Sequence, residues 1–369
     1  MSRRILVLNE RDLHNPRAGG AEVHCFEIFS RLIASRGDRV TLLASHFRGA
    51  AREDTIEGIR VVRVADPVGY YARVPFVYRS LRREAPFDVV VEDLNKFPFF
   101  ARLWVRDPLV VFAHHLFGRT AFRQAAFPIA TATYVAERLV PRIYRGLPVI
   151  LYSPSTRDEL VRAGLPPHEL HLVPIGLDHA RYHPAPEPLA PVPTVLALGR
   201  VEPSKRIELL VDAIVRLPGV RLVVAGHGTG MTAVREHVQA RGMTDRVELR
   251  GFVDEDEKVR LLRTSHVIAS ASEKEGWGLT VIEAGACGTP SVATDAPGLR
   301  DAVRDGETGL LVREPAAAAL AEALGSVLGD PALRARLGAA ALRLAASFDW
   351  DRTAAQISAI LDTTIGATR

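Results

Sequence analysis

Along the first half of the chain, short β-branched and apolar runs alternate with longer stretches in which apolar residues recur at helical spacing. RRILVLN (3–9), DRVTLLAS (38–45), IRVVRV (59–64), DVVVED (88–93), LVVFAHH (109–115) and PVILYS (148–153) predict strands. Between several of them lie helical patterns such as AEVHCFEIFSRLIASRG, which stops on Gly37. Strands that are apolar at nearly every position, alternating with helices, predict a parallel sheet covered on both faces. The pattern breaks at HPAPEPLAPVPT, because proline suits neither a helix interior nor a central strand. It restarts with TVLALGR (194–200), VRLVVAG (220–226), RVELRG (246–251), HVIAS (266–270), SVAT (291–294) and TGLLV (308–312). The expected architecture is α/β, with two Rossmann-like domains facing each other across a cleft. They would occupy residues 1–180 and 194–349, joined by a stiff proline-rich linker at 181–193.

Length agrees with this division, since 369 residues exceed one ordinary core. A hydrophobic content of 47% with 24% charged residues argues against long disorder. No apolar run reaches the ~20 residues that a membrane-spanning helix needs. The N-terminus MSRRILVLNE has no sustained apolar region and no small-residue cleavage site, so it reads as a first strand and not as a signal peptide. Cys25 and Cys287 make neither a disulfide framework nor a cysteine metal site, and a reducing, cytoplasmic compartment is expected. Charge is uneven. Residues 1–178 carry 25 Lys+Arg against 19 Asp+Glu, and the remainder carries 22 against 24. A basic first half suits an anionic membrane surface or an anionic acceptor, and equally an ordinary solvated face.

Open parallel sheets bind ligands beyond the carboxyl ends of their strands. After the first strand, Gly19-Gly20 stands directly before a helix, where backbone can approach a ligand and free N–H groups meet an anion. The spacing is not that of the dinucleotide GxGxxG. In the second half, Arg200 ends a strand and Lys205 lies near the next helix start, a guanidinium and an ammonium suited to a diphosphate. Ala225-Gly226-His227-Gly228 offers a glycine turn against which a flat ring can lie. The segment EKEGWGLTVIEAG places Glu275 before the turn Gly276-Trp277-Gly278, then Leu279-Thr280 at a helix start and Glu283 inside it. Thr280 to Glu283 spells a capping box. The alternative is that Glu275 and Glu283 each accept two hydrogen bonds from a sugar diol. Asp254-Glu255-Asp256 spells a metal-binding D-x-D, but Asp254 with Glu257 three positions on also reads as a helix cap.

Taken together, GRVEPSKR, SEKEGWGLTVIEAGACGTPSVAT, GGAE and DGETGLLV resemble the retaining glycosyltransferases of family 4, nucleotide-sugar enzymes of the GT-B fold. The resemblance spans nearly the whole chain, and the E-x7-E segment is its specific part. It implies that Glu275 holds the donor sugar hydroxyls and Glu283 the ribose diol. Arg200 and Lys205 would hold the diphosphate, with backbone at Gly20 and the N–H groups of Leu279 and Thr280. Arg250 to Val253 would seat the base. His114 matches the histidine near the anomeric centre, with His115 as its neighbouring alternative. Trp277 stands where phenylalanine is more usual. The tail SFDWDRTAAQISAIL resembles a helix, at 350–369, that crosses back to the N-terminal domain.

The implied reaction moves a sugar from a nucleoside-diphosphate sugar, UDP favoured over GDP, to a hydroxyl, with retention and without a metal. No cofactor is expected beyond the nucleotide-sugar co-substrate. The acceptor is a glycan, a lipid-linked or a small-molecule hydroxyl, and no nucleic-acid partner is expected. NKFPFFARLWVRD (95–107) is aromatic and basic enough to touch a lipid interface, or is a buried helix with charged flanks. Competing readings are a nucleotide-sugar epimerase, a phosphorylase, or a non-catalytic nucleotide-sugar-binding protein.

Overall fold

The computed structural model describes residues 2–94, 97–124 and 126–368, and the chain divides into two compact units. The first comprises Met1–Ala121, Ala126–Gly176 and Trp350–Arg369, and the second Phe122–Ala125 and Leu177–Asp349.

In the first unit the strands are β1 (Arg4–Leu8), β2 (Arg39–Ala44), β3 (Glu53–Ile56), β4 (Ile59–Arg63), β5 (Val89–Leu94), β6 (Leu109–Ala113), β7 (Val149–Leu151) and β8 (Leu170–Leu172). They form one sheet in the order β3-β4-β2-β1-β5-β6-β7-β8. Every pairing is parallel except β3 with β4. The predicted strands all appear, with ends shifted by a residue or two. β3 and β8 are additions. EDTI has one apolar residue in four and sits at an edge, where burial does not demand an apolar run. Its turn into β4 uses Glu57 and Gly58, both at positive φ (52° and 80°), the primed geometry that matches strand twist. Its helices are α1 (Gly20–Arg36), α2 (Pro67–Glu84), α4 (Phe127–Ile143) and α5 (Pro154–Ala163), while all but the first residue of the short α3 (Ala121–Gln124) falls in the second unit. Gly37, at φ 70°, ends α1 as its left-handed cap.

The second unit contains β9 (Thr194–Leu198), β10 (Arg221–Ala225), β11 (Val247–Gly251), β12 (Val267–Ser270), β13 (Ser291–Thr294) and β14 (Gly309–Val312). All run parallel in the order β11-β10-β9-β12-β13-β14. The order reverses between β9 and β12, where the loops after two adjacent strands diverge and leave a crevice. Its helices are α6 (Ile207–Val215), α7 (Met231–Ala240), α8 (Glu255–Thr264), α9 (Leu279–Ala286), α10 (Leu299–Ala302), α11 (Ala317–Gly329) and α12 (Pro331–Ala345). Apolar clusters cover both faces of the sheet, one around Val195, Val224 and Leu324, the other around Leu196, Ile268 and Ile282. The proline-rich stretch expected as a linker is counted with this unit. Ala190 N–H donates to Thr264 O at 2.9 Å, and Arg263 reaches the His183 carbonyl at 2.9 Å.

The final helix, α13 (Trp350–Thr368), returns to the first unit. Arg3 binds Asp38 and donates to Ser358 O, Ser358 Oγ and Asp362 at 3.0–3.1 Å. Trp350 lies flat against Gly176, where a Cβ would stand 2.3 Å from the indole. Here only glycine leaves room for the ring.

Candidate active site

At the switch point of the second sheet, β9 ends before Gly199 and the exposed Arg200, and the turn Pro203–Lys205 follows. β12 ends at Ser270, and the loop after it carries Glu275. The two loops meet in an ion pair between Lys205 Nζ and Glu275 Oε1, which also accepts from Ser272 Oγ at 2.7 Å. Glu275 N–H donates to Pro297 O at 2.9 Å, and the Gly298 backbone packs so tightly that a Cβ there would lie 2.3 Å from the Glu275 carbonyl. Gly276 and Trp277 continue the turn half-buried, and the Trp277 indole meets Phe348 edge-on at 5.6 Å. The buried Trp277 Nε1 has no partner. Gly278, at φ 79°, opens α9, so Leu279 and Thr280 supply first-turn N–H groups directed out of the helix.

This placement corrects the capping-box reading of Thr280–Glu283. The N-cap is Gly278, with no side-chain cap, and Glu283 lies a full turn inside α9. Its carboxylate accepts instead from Lys258 Nζ on α8, at 2.8 Å. Lys258 donates also to Tyr182 Oη at 2.7 Å, and Tyr182 donates to Glu255 at 2.8 Å. Burial, the largest influence, lifts the Glu283 carboxyl above the ordinary carboxylate range, although Lys258 pulls the other way. Glu283 Oε2 is buried without a partner. A buried carboxylate oxygen with no donor is costly unless something else supplies one. Lys258 and Tyr182 were not anticipated, because nothing local to EKEGWGLTVIEAG points to α8.

Gly226, at φ 140°, could carry no side chain, since its Cβ would fall 1.8 Å from Gly199 O. This close approach joins the loops after β9 and β10. Beyond them the family resemblance implies a base seat at Arg250 to Val253. There the Arg250 guanidinium is held by Glu248 and by Glu257 at 3.0 Å, and Val253 packs on the core. The flat surface comes from Phe252, 75% exposed, whose ring meets His227 at 5.8 Å. Asp254 caps α8 by accepting from Glu257 N–H at 2.8 Å. Among the described residues, no group of three or more His, Cys, Asp or Glu is arranged to hold a metal ion.

In the first unit, Gly19 caps α1, and Glu22 accepts from its N–H at 2.7 Å, with Gly20 exposed at the first position of the helix. His114, just past β6, is buried, with Nε2 3.0 Å from Asp93 Oδ1 as an ion pair not aligned as a hydrogen bond. Its carbonyl accepts from Thr156 Oγ1 at 2.9 Å. Burial opposes the imidazolium most, but Asp93, with Glu22 beyond it, raises His114 above the ordinary histidine range. Behind it, His24 lies 5.5 Å from the His114 ring and 4.0 Å from Tyr152, fully buried with neither nitrogen partnered, and burial keeps it neutral. His115 turns the other way, half-buried against Phe117 at 4.9 Å.

The 95–107 segment is not a buried helix. Asn95 and Lys96 lie outside the described residues, and the rest forms a loop with one short turn at Ala101–Leu103 and Leu103 70% exposed. The loop hangs on Glu92, which accepts from Phe99 N–H (2.8 Å), Ala101 N–H (3.1 Å) and Tyr144 Oη. Burial raises Glu92 to about 7. Among the described residues, no helix is long and apolar enough to cross a membrane. Cys25 and Cys287 are both free and buried.

Residues 182–343 match the family described as Glycosyl transferases group 1, and residues 18–181 match Glycosyltransferase Family 4. A D-inositol 3-phosphate glycosyltransferase of Nocardia farcinica is 34% identical over 68% of this chain, a match that spans only 60% of that relative. A GDP-mannose-dependent alpha-(1-6)-phosphatidylinositol monomannoside mannosyltransferase of Mycobacterium tuberculosis is 29% identical over 98% of both chains. Among solved structures, sucrose-phosphate synthase from Thermosynechococcus elongatus superposes with a TM-score of 0.85 at 23% identity, over 99% of this chain and 100% of that one. HepE from Anabaena, in complex with UDP-glucose, gives 0.79 at 21% identity, over 98% and 100%. The last two speak for the fold.

Proposed function

The chain belongs to the family 4 glycosyltransferases, enzymes of the GT-B fold, and from that premise we propose that it transfers a sugar from a nucleoside-diphosphate sugar to an acceptor hydroxyl with retention at the anomeric carbon. One observation carries the donor reading. Glu283 presents a buried oxygen without a donor, one helical turn beyond the α9 N-terminus and eight positions after the Lys205-bound Glu275. Acid, helix N-terminus and acid match, in order, a sugar, a diphosphate and a ribose.

In this reading the leaving diphosphate is stabilised by Arg200, Lys205 and the first N–H groups of α9, as electrostatic catalysis requires. Lys205 is then shared between the phosphates and Glu275, and Glu275 is freed to hold sugar hydroxyls. Backbone at Gly20 addresses the same diphosphate, with the Gly19 N–H held by Glu22. Phe252 and His227 offer the base a ring surface. His114 serves the sugar near its reactive carbon, with His115 on the acceptor side. With Glu275 engaged on hydroxyls, this reading assigns no carboxylate as nucleophile and takes a front-face route. The departing phosphate takes the acceptor's proton. Two cations and a helix N-terminus would do the work of a metal, so no metal or other cofactor is required.

The donor is a UDP- or GDP-sugar. The mycobacterial relative is named for GDP-mannose, and the HepE complex holds UDP-glucose. The enzyme would work in the cytoplasm, with its basic N-terminal domain in peripheral contact with an anionic membrane. Thermal-shift screening of UDP- and GDP-sugars identifies the donor. Release of nucleoside diphosphate only when an acceptor is added is the expected outcome. Release without acceptor, or loss of all activity after exhaustive chelation, would overturn the transfer or the metal-free route respectively.

A further inference from the structure

One turn beside the crevice of the second sheet holds a conformation that its residue does not favour. Arg206, between Lys205 and the start of α6, has φ 50° and ψ 46°, in the left-handed region. Among the described residues it is one of three non-glycine residues at positive φ. Glycine enters this region freely, whereas an arginine there is strained and persists only where its surroundings hold it. If the chain needed only the turn, glycine would supply it. The strain points to a use for the side chain itself.

That side chain reaches from the loop after β9 to the loop after β12, both in the second unit. Arg206 Nε donates to Ala271 O at 2.7 Å, and Nη2 donates to Ser272 O at 3.4 Å. Ala271 and Ser272 are buried, so a charged donor satisfies carbonyls that have little water to turn to. Ser272 passes the restraint on, because its hydroxyl donates to Glu275 Oε1 at 2.7 Å. Lys205 meets the same carboxylate oxygen from the other loop. Two further bonds tighten this stitching. Glu273 N–H donates to Ser204 O at 3.0 Å, and Thr294 Oγ1 donates to Ser272 O at 2.7 Å. The strained residue thus follows Lys205 directly and holds the backbone that carries Glu275.

We propose that Arg206 is a positioning residue, which braces the loop after β12 so that Glu275 meets the hydroxyls of the donor sugar. The proposal rests on the reading above that Glu275 binds that sugar. The test compares the full wild-type chain with Arg206→Gly, which keeps the left-handed turn and removes the guanidinium. Calorimetry gives dissociation constants for UDP and UDP-glucose, and for GDP and GDP-mannose. For the pair that wild type binds, Arg206→Gly should weaken the nucleotide sugar at least about fivefold and the bare diphosphate less than about twofold. Ser272→Ala, which cuts the next step of the same path and leaves the turn untouched, should show the same split. In a Glu275→Ala background, Arg206→Gly should add less than about twofold, because its effect runs through that carboxylate. Wild-type affinity for the nucleotide sugar in Arg206→Gly overturns the proposal. So does equal weakening of the bare diphosphate, or a full further loss in the Glu275→Ala background. Amide exchange separates the brace from the donor reading. If wild type binds none of these ligands, the donor reading fails. Faster exchange at residues 272–276 in Arg206→Gly then upholds the brace, and unchanged exchange there overturns it too.

Discussion

Lys205 and Asp93 show how much a single contact decides. Lys205 bridges two loops through Glu275 and, as proposed, faces the leaving diphosphate. Lys205→Ala is therefore expected to lower kcat by ~10²–10³, the usual cost of removing one donor from a developing charge. A variant with wild-type kcat and KM would remove Lys205 from the site. Asp93 acts on His114, whose pKa it raises against the larger opposing influence of burial. A raised histidine contributes stability that is complete below its unfolded value, ~6.5, and is lost as pH rises through the folded value. Asp93→Asn should thus destabilise the chain most below pH ~6.5, with the gap to wild type narrowing as pH rises. Urea unfolding across that range checks this, and a pH-independent gap would contradict it. Neither partner was legible as a pair in the sequence. Asp93 and His114 end different strands, and only the register of β5 on β6 brings them together.

Elements, by contrast, were largely readable. Most of the twelve strands read from the sequence announced themselves because a strand covered on both faces must be apolar at nearly every position. The strands that escaped, β3 and β8, are short and lie at the two edges of the first sheet, where the pattern relaxes. The start of α9 was also placed correctly, but its cap was not. Thr280-x-x-Glu283 satisfies the capping pattern, yet Gly278 alone reaches the left-handed φ that the close packing against Gly298 and Ala302 demands. The same packing fixes Glu275. Gly298→Ala would bring a Cβ within 2.3 Å of the Glu275 carbonyl at a φ of 83°, so the loop must shift. The expected result is a donor KM raised at least about tenfold, with a lower Tm. A Gly298→Ala enzyme with unaltered donor KM would show that the loop position does not set Glu275.

At the scale of the whole molecule, the chain returns to its first unit through α13, and the seam is partly ionic. The Arg3 guanidinium is buried between Asp38 and the Ser358 turn of α13. Arg3→Met leaves Asp38 buried without its charge partner and should cost about 3–5 kcal/mol. Chemical denaturation measures this, and amide exchange in α13 should accelerate. An unchanged midpoint and exchange pattern would mean that the helix is held by packing alone, chiefly Trp350 on Gly176. The alternation of apolar strands and amphipathic helices, the break at the proline-rich stretch, and the family motifs around Glu275 and Glu283 were determined by the sequence itself. Hydrophobic periodicity and turn chemistry are local, so they can be read in order along the chain. The tertiary structure alone decided that Lys258, itself bonded to Tyr182, holds Glu283, that Asp93 raises the His114 pKa, and that α4 leaves Val135 and Leu139 exposed. Those outcomes depend on which strands become neighbours and which helix face finds a core to cover it, and no local pattern encodes either.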